Sequence, residues 1–300
     1  MGTALVTGAT SGLGLEIAWQ LAQARHDLVL VARTPERLRQ VAEEMRQFAG
    51  VQVETLQADL SKRDELERVA ERLQETSKPV GLLVNNAGFG LGQRFVGGDL
   101  AREEDALNVM VRAVMVASHA AAGAMVERGR GAILNVSSMT AHTAMGTYAA
   151  HKAWVLRFTE GLAAELAGTG VSATALCPGL VHTGFHAAAG IDETQWKAPL
   201  WLDAERVAID GLAAVRRGQV ICTPSLRYRS ANAVLSGAPL VRAPGGRAGT
   251  LRPGARLRPS GLAGGAKCHR WRLFRGYSHY FRPSRGADQH RCGEIGGDCL

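Results

Sequence analysis

Apolar residues recur along the first 222 positions in two alternating rhythms. Short, nearly continuous runs read as strands: TALVT at 3–7, DLVLVA at 27–32, VQVETLQ at 51–57, GLLV at 81–84, AILNV at 132–136, VSATALC at 171–177 and QVIC at 219–222. Stretches with helical spacing fill the gaps, at about 13–24, 35–48, 62–76, 101–128, 147–168 and 204–217. A run such as LVLVA has no polar alternation, as expected of a strand covered on both faces. Strand and helix in alternation give βαβ units. The pattern therefore predicts an α/β fold with a doubly wound, seven-stranded parallel sheet, complete within a single domain at residues 1–224.

Both rhythms stop near residue 225. Between Ser236 and Gly265, Gly, Pro, Arg and Ala supply 22 of 30 residues, and Asp, Glu and Lys are absent. Such a segment buries too little apolar surface to offset chain entropy, so residues 225–300 are expected to form a disordered tail. Charge divides at the same place. Residues 1–222 hold 21 Lys+Arg against 24 Asp+Glu, whereas residues 223–300 hold 14 against 3. The overall +8 thus describes the tail and not the body. Its stretch KCHRWRLFRGYSHYFRPSR interleaves arginines with aromatics, as single-strand nucleic-acid binders do. A solvated extension, or translation in a shifted frame, accounts for the same composition, and nucleic acid is not the expected partner.

The five cysteines show no metal-ligand spacing and no disulfide framework. Cys177 and Cys222 sit in strand-like runs and read as buried thiols. The start MGTALVTG lacks a leader pattern, and the apolar stretch around 113–126 is too short for a bilayer. These features predict a cytoplasmic protein without a membrane partner.

The chemistry begins at LVTGATSGLG, where the first strand enters a loop with glycines at 8, 12 and 14 and a helix follows. Glycine allows a sharp turn and close approach, and a helix N-terminus offers free N–H groups to a pyrophosphate. Thr10 and Ser11 add hydroxyls, and Leu13 opens the helix. A three-glycine pattern is weak alone and much stronger at the first strand-to-helix turn. The second strand ends in VARTPERL. An acidic residue there would hold an unphosphorylated ribose; here Arg33 occupies the place and the first carboxylate is Glu36. A guanidinium suits a 2′-phosphate, which favours NADP(H) over NAD(H).

From Thr3 to about Pro224 the chain resembles the short-chain dehydrogenase/reductase family in its single-domain, NADP-preferring form. The resemblance rests on six motifs in order: TGATSGLG, ADL at 58–60, NNAG at 85–88, LNVSS at 134–138, YAAHK at 148–152 and PGLVHT at 178–183. It implies a Rossmann-type fold and NAD(P)-dependent interconversion of a small carbonyl compound and its alcohol. Tyr148 would be the general acid/base, Lys152 would favour the phenolate and bond the nicotinamide ribose, and Ser138 would steady the substrate oxygen, with Ser137 an alternative. Asp59 and Leu60 would border the adenine, Asn86 the adenosine ribose, and Ala87 and Gly88 would let the cofactor pass. Pro178 and Gly179 would shape the nicotinamide side and Thr183 would bond the carboxamide. The rival reading is a dinucleotide-binding protein without turnover.

Two departures stand out. Ser138 precedes Tyr148 by ten residues where the family's spacing is thirteen. Met110 stands where the family carries an asparagine that supports a water near the lysine; at 3.6 residues per turn, Asn108 points roughly 200° away. His151 is expected at the surface or an interface, and His182 and His186 beside the substrate loop. Residues 184–203, with Phe185, Trp196 and Trp201, are expected to form a flap over an apolar substrate. The small residues Ala113, Ala117, Ala120, Ala121 and Ala124 would admit a second helix, which suggests a homodimer or homotetramer.

Overall fold

The computed structural model describes residues 2–185 and 200–230. Strands β1 (Thr3–Thr7), β2 (Asp27–Ala32), β3 (Val53–Gln57), β4 (Val80–Asn85), β5 (Gly131–Val136) and β6 (Val171–Leu176) form the sheet with a short β9 (Ile221–Cys222). The order is β3-β2-β1-β4-β5-β6-β9, and every pairing is parallel. The predicted seven-stranded parallel sheet is borne out. Strands β7 (Leu180–Val181) and β8 (Trp201–Leu202), absent from the sequence reading, pair in a separate ladder.

Helices α1 (Gly12–Gln23), α2 (Pro35–Ala49) and α7 (Ala204–Arg216) cover one face; α3 (Arg63–Gln74), α5 (Ala113–Glu127) and α6 (Gly146–Glu165) cover the other. The strand pleat explains why neither face could be polar. Ala4, Val6, Leu28 and Leu30 pack with Ile17, Leu38 and Met45 on one side. Leu5, Val29 and Val31 pack with Leu66, Val69 and Ala117 on the other. A polar residue at any of these positions would lose its water without gaining a partner.

The long helical stretch is not uniform. It runs as α4 (Leu100–Leu107), a π turn at Asn108–Arg112, then α5. Leu100–Glu127 as a whole is long and apolar enough to cross a membrane by length and composition, against the expectation drawn from residues 113–126. Of its most apolar window, 61% is nevertheless buried within the domain. Ala113, Ala117, Ala120 and Ala121 are buried against the side chains of α3. Four of the five small residues of the stripe thus pack within the chain, Ala124 excepted.

Buried polar side chains satisfy one another across the layers. Asn85 Nδ2 donates to Ser118 Oγ at 3.0 Å and to Asn135 Oδ1 at 2.8 Å, and Asn135 Nδ2 donates to Thr159 Oγ1 at 3.0 Å. This chain links β4, α5, β5 and α6, the elements that carry the chemistry described next.

Candidate active site

Strand order reverses between β1 and β4, so the loops leaving the carboxyl ends of these neighbours diverge and open a crevice. A cleft of about 870 Å³ lies there. The β1–α1 loop contributes Gly8, Thr10, Ser11, Gly12 and Leu13; the end of β2 contributes Arg33 and Thr34; the β3 end contributes Asp59 and Leu60. Asn86, Ala87 and Gly88 follow β4, Ser137 and Ser138 follow β5, and Pro178, Gly179 and Thr183 follow β6. Tyr148 and Lys152 project from α6 into the same space. All of the sequence-predicted site residues except Gly14 line it.

Gly14 acts from behind. A Cβ there would fall 2.2 Å from Asn86 Nδ2 and 2.4 Å from the Gly8 carbonyl oxygen. Asn86 Nδ2 donates to Thr7 O at 3.0 Å and Gly8 O at 3.3 Å, while Thr7 Oγ1 accepts from the Asn86 and Ala87 amides. The Asn86 side chain thus latches the β1 and β4 loops together.

The cleft has the features a dinucleotide needs. Ser11, at the N-cap of α1, makes no capping bond, and the first turn of α1 holds no acidic residue. Its N–H groups are left for an anion. Gly8 and Gly12 adopt φ of 67° and 54°, left-handed values that keep side chains out of the loop. At the end of β2, Thr34 caps α2 without using its hydroxyl, and Glu36 is turned toward Arg39 at 3.9 Å.

At the other end of the cleft three functional groups converge. Lys152 Nζ lies 5.7 Å from the centre of the Tyr148 ring and donates to Val136 O at 2.8 Å. Ser138 Oγ accepts from the Thr140 amide at 3.1 Å and favours ionisation of the Tyr148 phenol. Ser137 instead donates to Lys152 O at 2.7 Å and is spent on holding α6. Of the two serines, Ser138 is the one turned to the phenol.

Burial governs the charges. It pushes the Tyr148 phenol above its usual value, against a smaller opposite effect of the Ser138 hydrogen bond. It lowers Lys152 to about 8, partly opposed by Cys177. Cys177 and Cys222 are both buried free thiols, raised by burial to about 12 and about 11. An unfolded lysine titrates near 10.5, so between about pH 8 and 10.5 the unfolded chain binds the extra proton and folded stability rises with pH. Lys152→Met removes that dependence. The ligand-free variant should melt above wild type at pH 7, with the gap closing by pH 10; a gap independent of pH would contradict it.

Met110 faces the site. Its Sδ and Cγ would lie 3.3 Å from a Cβ at Gly88, and Lys152 Nζ 3.5 Å from it. Met110, Leu91 and Ala106 form a buried apolar cluster against Phe89 and Tyr148. A π turn interrupts the regular spacing here, with Ala113 N donating to Asn108 O, and Asn108 does not line the cleft.

His151 is buried, not at the surface; burial lowers its pKa more than nearby Glu103 raises it. His182 stacks on Trp201 at 4.6 Å between centroids, outside the cleft. His186 and Trp196 lie outside the described residues. Phe185 packs near Tyr148 at 5.5 Å. The sequence reading missed Thr34, Phe89, Met139, Thr143 and Tyr228, all of which line the cleft, while Leu200 lines it from the expected flap. Residues 226–230 are helical, and of these Tyr228 lines the cleft. The rest of the tail, with its basic aromatic stretch, lies outside the described residues.

The family model for short chain dehydrogenases matches residues 2–194. The chain belongs to the short-chain dehydrogenase/reductase family. An uncharacterized oxidoreductase of Staphylococcus saprophyticus is 32% identical over 217 residues, covering 71% of this chain and 91% of that one. A short-chain dehydrogenase of Sphingobium yanoikuyae, solved with NADPH, superposes with a TM-score of 0.72 at 34% identity, covering 79% of this chain and 94% of that one. A bulky-bulky ketone specific alcohol dehydrogenase of Comamonas testosteroni superposes with a TM-score of 0.69 at 28% identity, covering 79% and 93%. The protein is an NAD(P)-dependent oxidoreductase of this family, and the rival reading of a binder without turnover is set aside.

Proposed function

We propose that this short-chain dehydrogenase/reductase reduces an apolar ketone or aldehyde with NADPH, or oxidises the corresponding alcohol, using Tyr148, Lys152 and Ser138. The observation that carries the reading is the convergence of phenol, ammonium and hydroxyl at one end of a cleft whose other end has an open helix N-terminus and Arg33.

NADPH, when bound, supplies the hydride. The chain's own groups handle the proton and the oxygen. Tyr148 keeps its proton at neutral pH because burial disfavours the phenolate, so it is ready to protonate a carbonyl oxygen. Ser138 Oγ, fixed by accepting the Thr140 amide, has its own proton to donate to that oxygen as charge develops. Lys152, anchored on Val136 O, brings a positive charge beneath the phenol and favours its ionised form once the proton has left. Gly88 lets Met110 Sδ and Lys152 Nζ come within 3.3 and 3.5 Å of where a Cβ would stand. The apolar cluster of Leu91, Ala106 and Met110 closes the α4 side of Tyr148 to water.

The substrate end is lined by Met139, Phe185, Leu200 and Tyr228, which supports an apolar substrate. The Comamonas relative's bulky ketones point the same way. A screen of carbonyl compounds for NADPH consumption, with NADH in parallel, tests the reading; failure to consume either with any carbonyl compound would overturn it.

Arg33 and Thr34 carry the cofactor preference in this reading. Arg33→Ala removes a charged hydrogen bond worth about 1.5–3 kcal/mol, so Kd for NADPH should rise by roughly ten- to a hundredfold and Kd for NADH little. Equal weakening toward both would contradict a 2′-phosphate contact.

A further inference from the structure

Tyr228 stands beyond the last sheet strand, where composition assigned the chain to the tail. Ser225 turns it back: its φ of 73° is a left-handed conformation for a non-glycine residue. Arg229 N then donates to Ser225 O at 3.1 Å as residues 226–230 run on as helix. The turn returns the Tyr228 ring to the cleft beside Leu180, Phe185 and Leu200.

Two contacts hold it there. The hydroxyl donates to Leu200 O at 2.7 Å and accepts from the Leu180 amide at 3.1 Å, joining the approaches to β7 and β8. The ring sits on Gly179, where a Cβ would fall 2.0 Å from Cζ and 2.3 Å from each Cε. Gly179 does not have a left-handed φ, so its backbone does not demand glycine. The ring does.

We propose that Tyr228 determines substrate specificity: its ring, seated on Gly179, is the wall on which a flat apolar substituent of the carbonyl compound packs. The proton and one lone pair of its hydroxyl are already engaged by the backbone, so the face of the ring is what it offers. Aromatic faces favour offset or edge-to-face contact with other rings, which makes aryl ketones the substrate class. This rests on the carbonyl reading above.

The test has two arms, each on the full chain. In the first, kcat/KM with NADPH is measured for acetophenone and butanone. Wild type should prefer acetophenone by about tenfold or more. Tyr228→Ala and Tyr228→Leu should reduce the preference to within about twofold, chiefly through KM for the aryl ketone, and Tyr228→Phe should retain it. The leucine variant keeps apolar volume and so reports even where alanine unfolds. In the second arm, Gly179→Ala is made in wild type and in Tyr228→Leu, and Tm is measured. Gly179→Ala should be damaging in the first background and tolerated in the second.

An unchanged ketone preference in the Tyr228 variants would overturn the wall. Equal damage by Gly179→Ala in both backgrounds would overturn the seat. Wild type that binds NADPH yet reduces neither ketone nor any other carbonyl compound would overturn the carbonyl reading and the wall together, and the Tm coupling would still decide the seat.

Discussion

Tyr148→Phe should cut kcat for carbonyl reduction by about a thousandfold or more while NADPH still binds. Removing the hydroxyl takes away the proton donor, and general acid catalysis of this kind contributes about 10²–10⁴. The ring remains to pack against the cluster of Leu91, Ala106 and Met110, so the fold should be kept. The cofactor end of the cleft, on Gly8, Ser11 and Arg33, is untouched. Steady-state kinetics with NADPH fluorescence titration separates the two effects. A variant that loses cofactor affinity in parallel with turnover would show that Tyr148 holds the cleft and not the proton.

Gly14→Ala should be the most disruptive single methyl group in the domain's nucleotide loop. The added carbon would meet Asn86 Nδ2 at 2.2 Å and Gly8 O at 2.4 Å. These atoms are the two halves of the latch between the β1 and β4 loops, since Asn86 donates to Gly8 O and Thr7 O. Neither can retreat without opening the hydrogen bonds that shape the cleft. Overpacking costs about 1–3 kcal/mol or more, and in a domain of this size 1 kcal/mol moves Tm by about 2–4 °C. The expected result is a Tm lower by roughly 5–10 °C with at least about tenfold weaker NADPH binding. Gly123→Ala is the matched control: nothing lies within 4 Å of its Cβ position, which is exposed on the outer side of helix α5. It should raise Tm, because alanine is the better helix former by about 0.8–1 kcal/mol. Thermal unfolding of the two variants side by side measures both effects, and a tolerated Gly14→Ala would contradict the latch.

The parts of the molecule legible in the sequence are those set by local periodicity and chain order. LVLVA and TALVT declare strands covered on both sides, and the alternation with helices leaves few topologies. Glycines at 8, 12 and 14 mark the loop because the backbone itself needs them or needs the space. What was hidden depends on contacts between distant positions. Tyr228 reaches Gly179 across 49 residues, and the turn that sends it there is a left-handed serine, for which the sequence gives no signal. The alanine stripe on α5 was visible, but not that α3 of the same chain fills it. The π turn at Asn108–Arg112 leaves no mark in the sequence, although Asn108 stays out of the cleft as the regular spacing expected. His151 was expected at the surface or an interface because burial within the chain is a tertiary effect that spacing on α6 cannot show.

Deuteride transfer tests the central claim most directly. Wild-type protein would be given NADPH labelled with deuterium at the transferable C4 position, together with acetophenone, and the product analysed by mass spectrometry. One deuterium at the carbinol carbon, with about a thousandfold less labelled product formed by Tyr148→Phe in the same time, is the predicted result. NADPH held tightly in the cleft with no label passed to acetophenone or to any other carbonyl compound would contradict it.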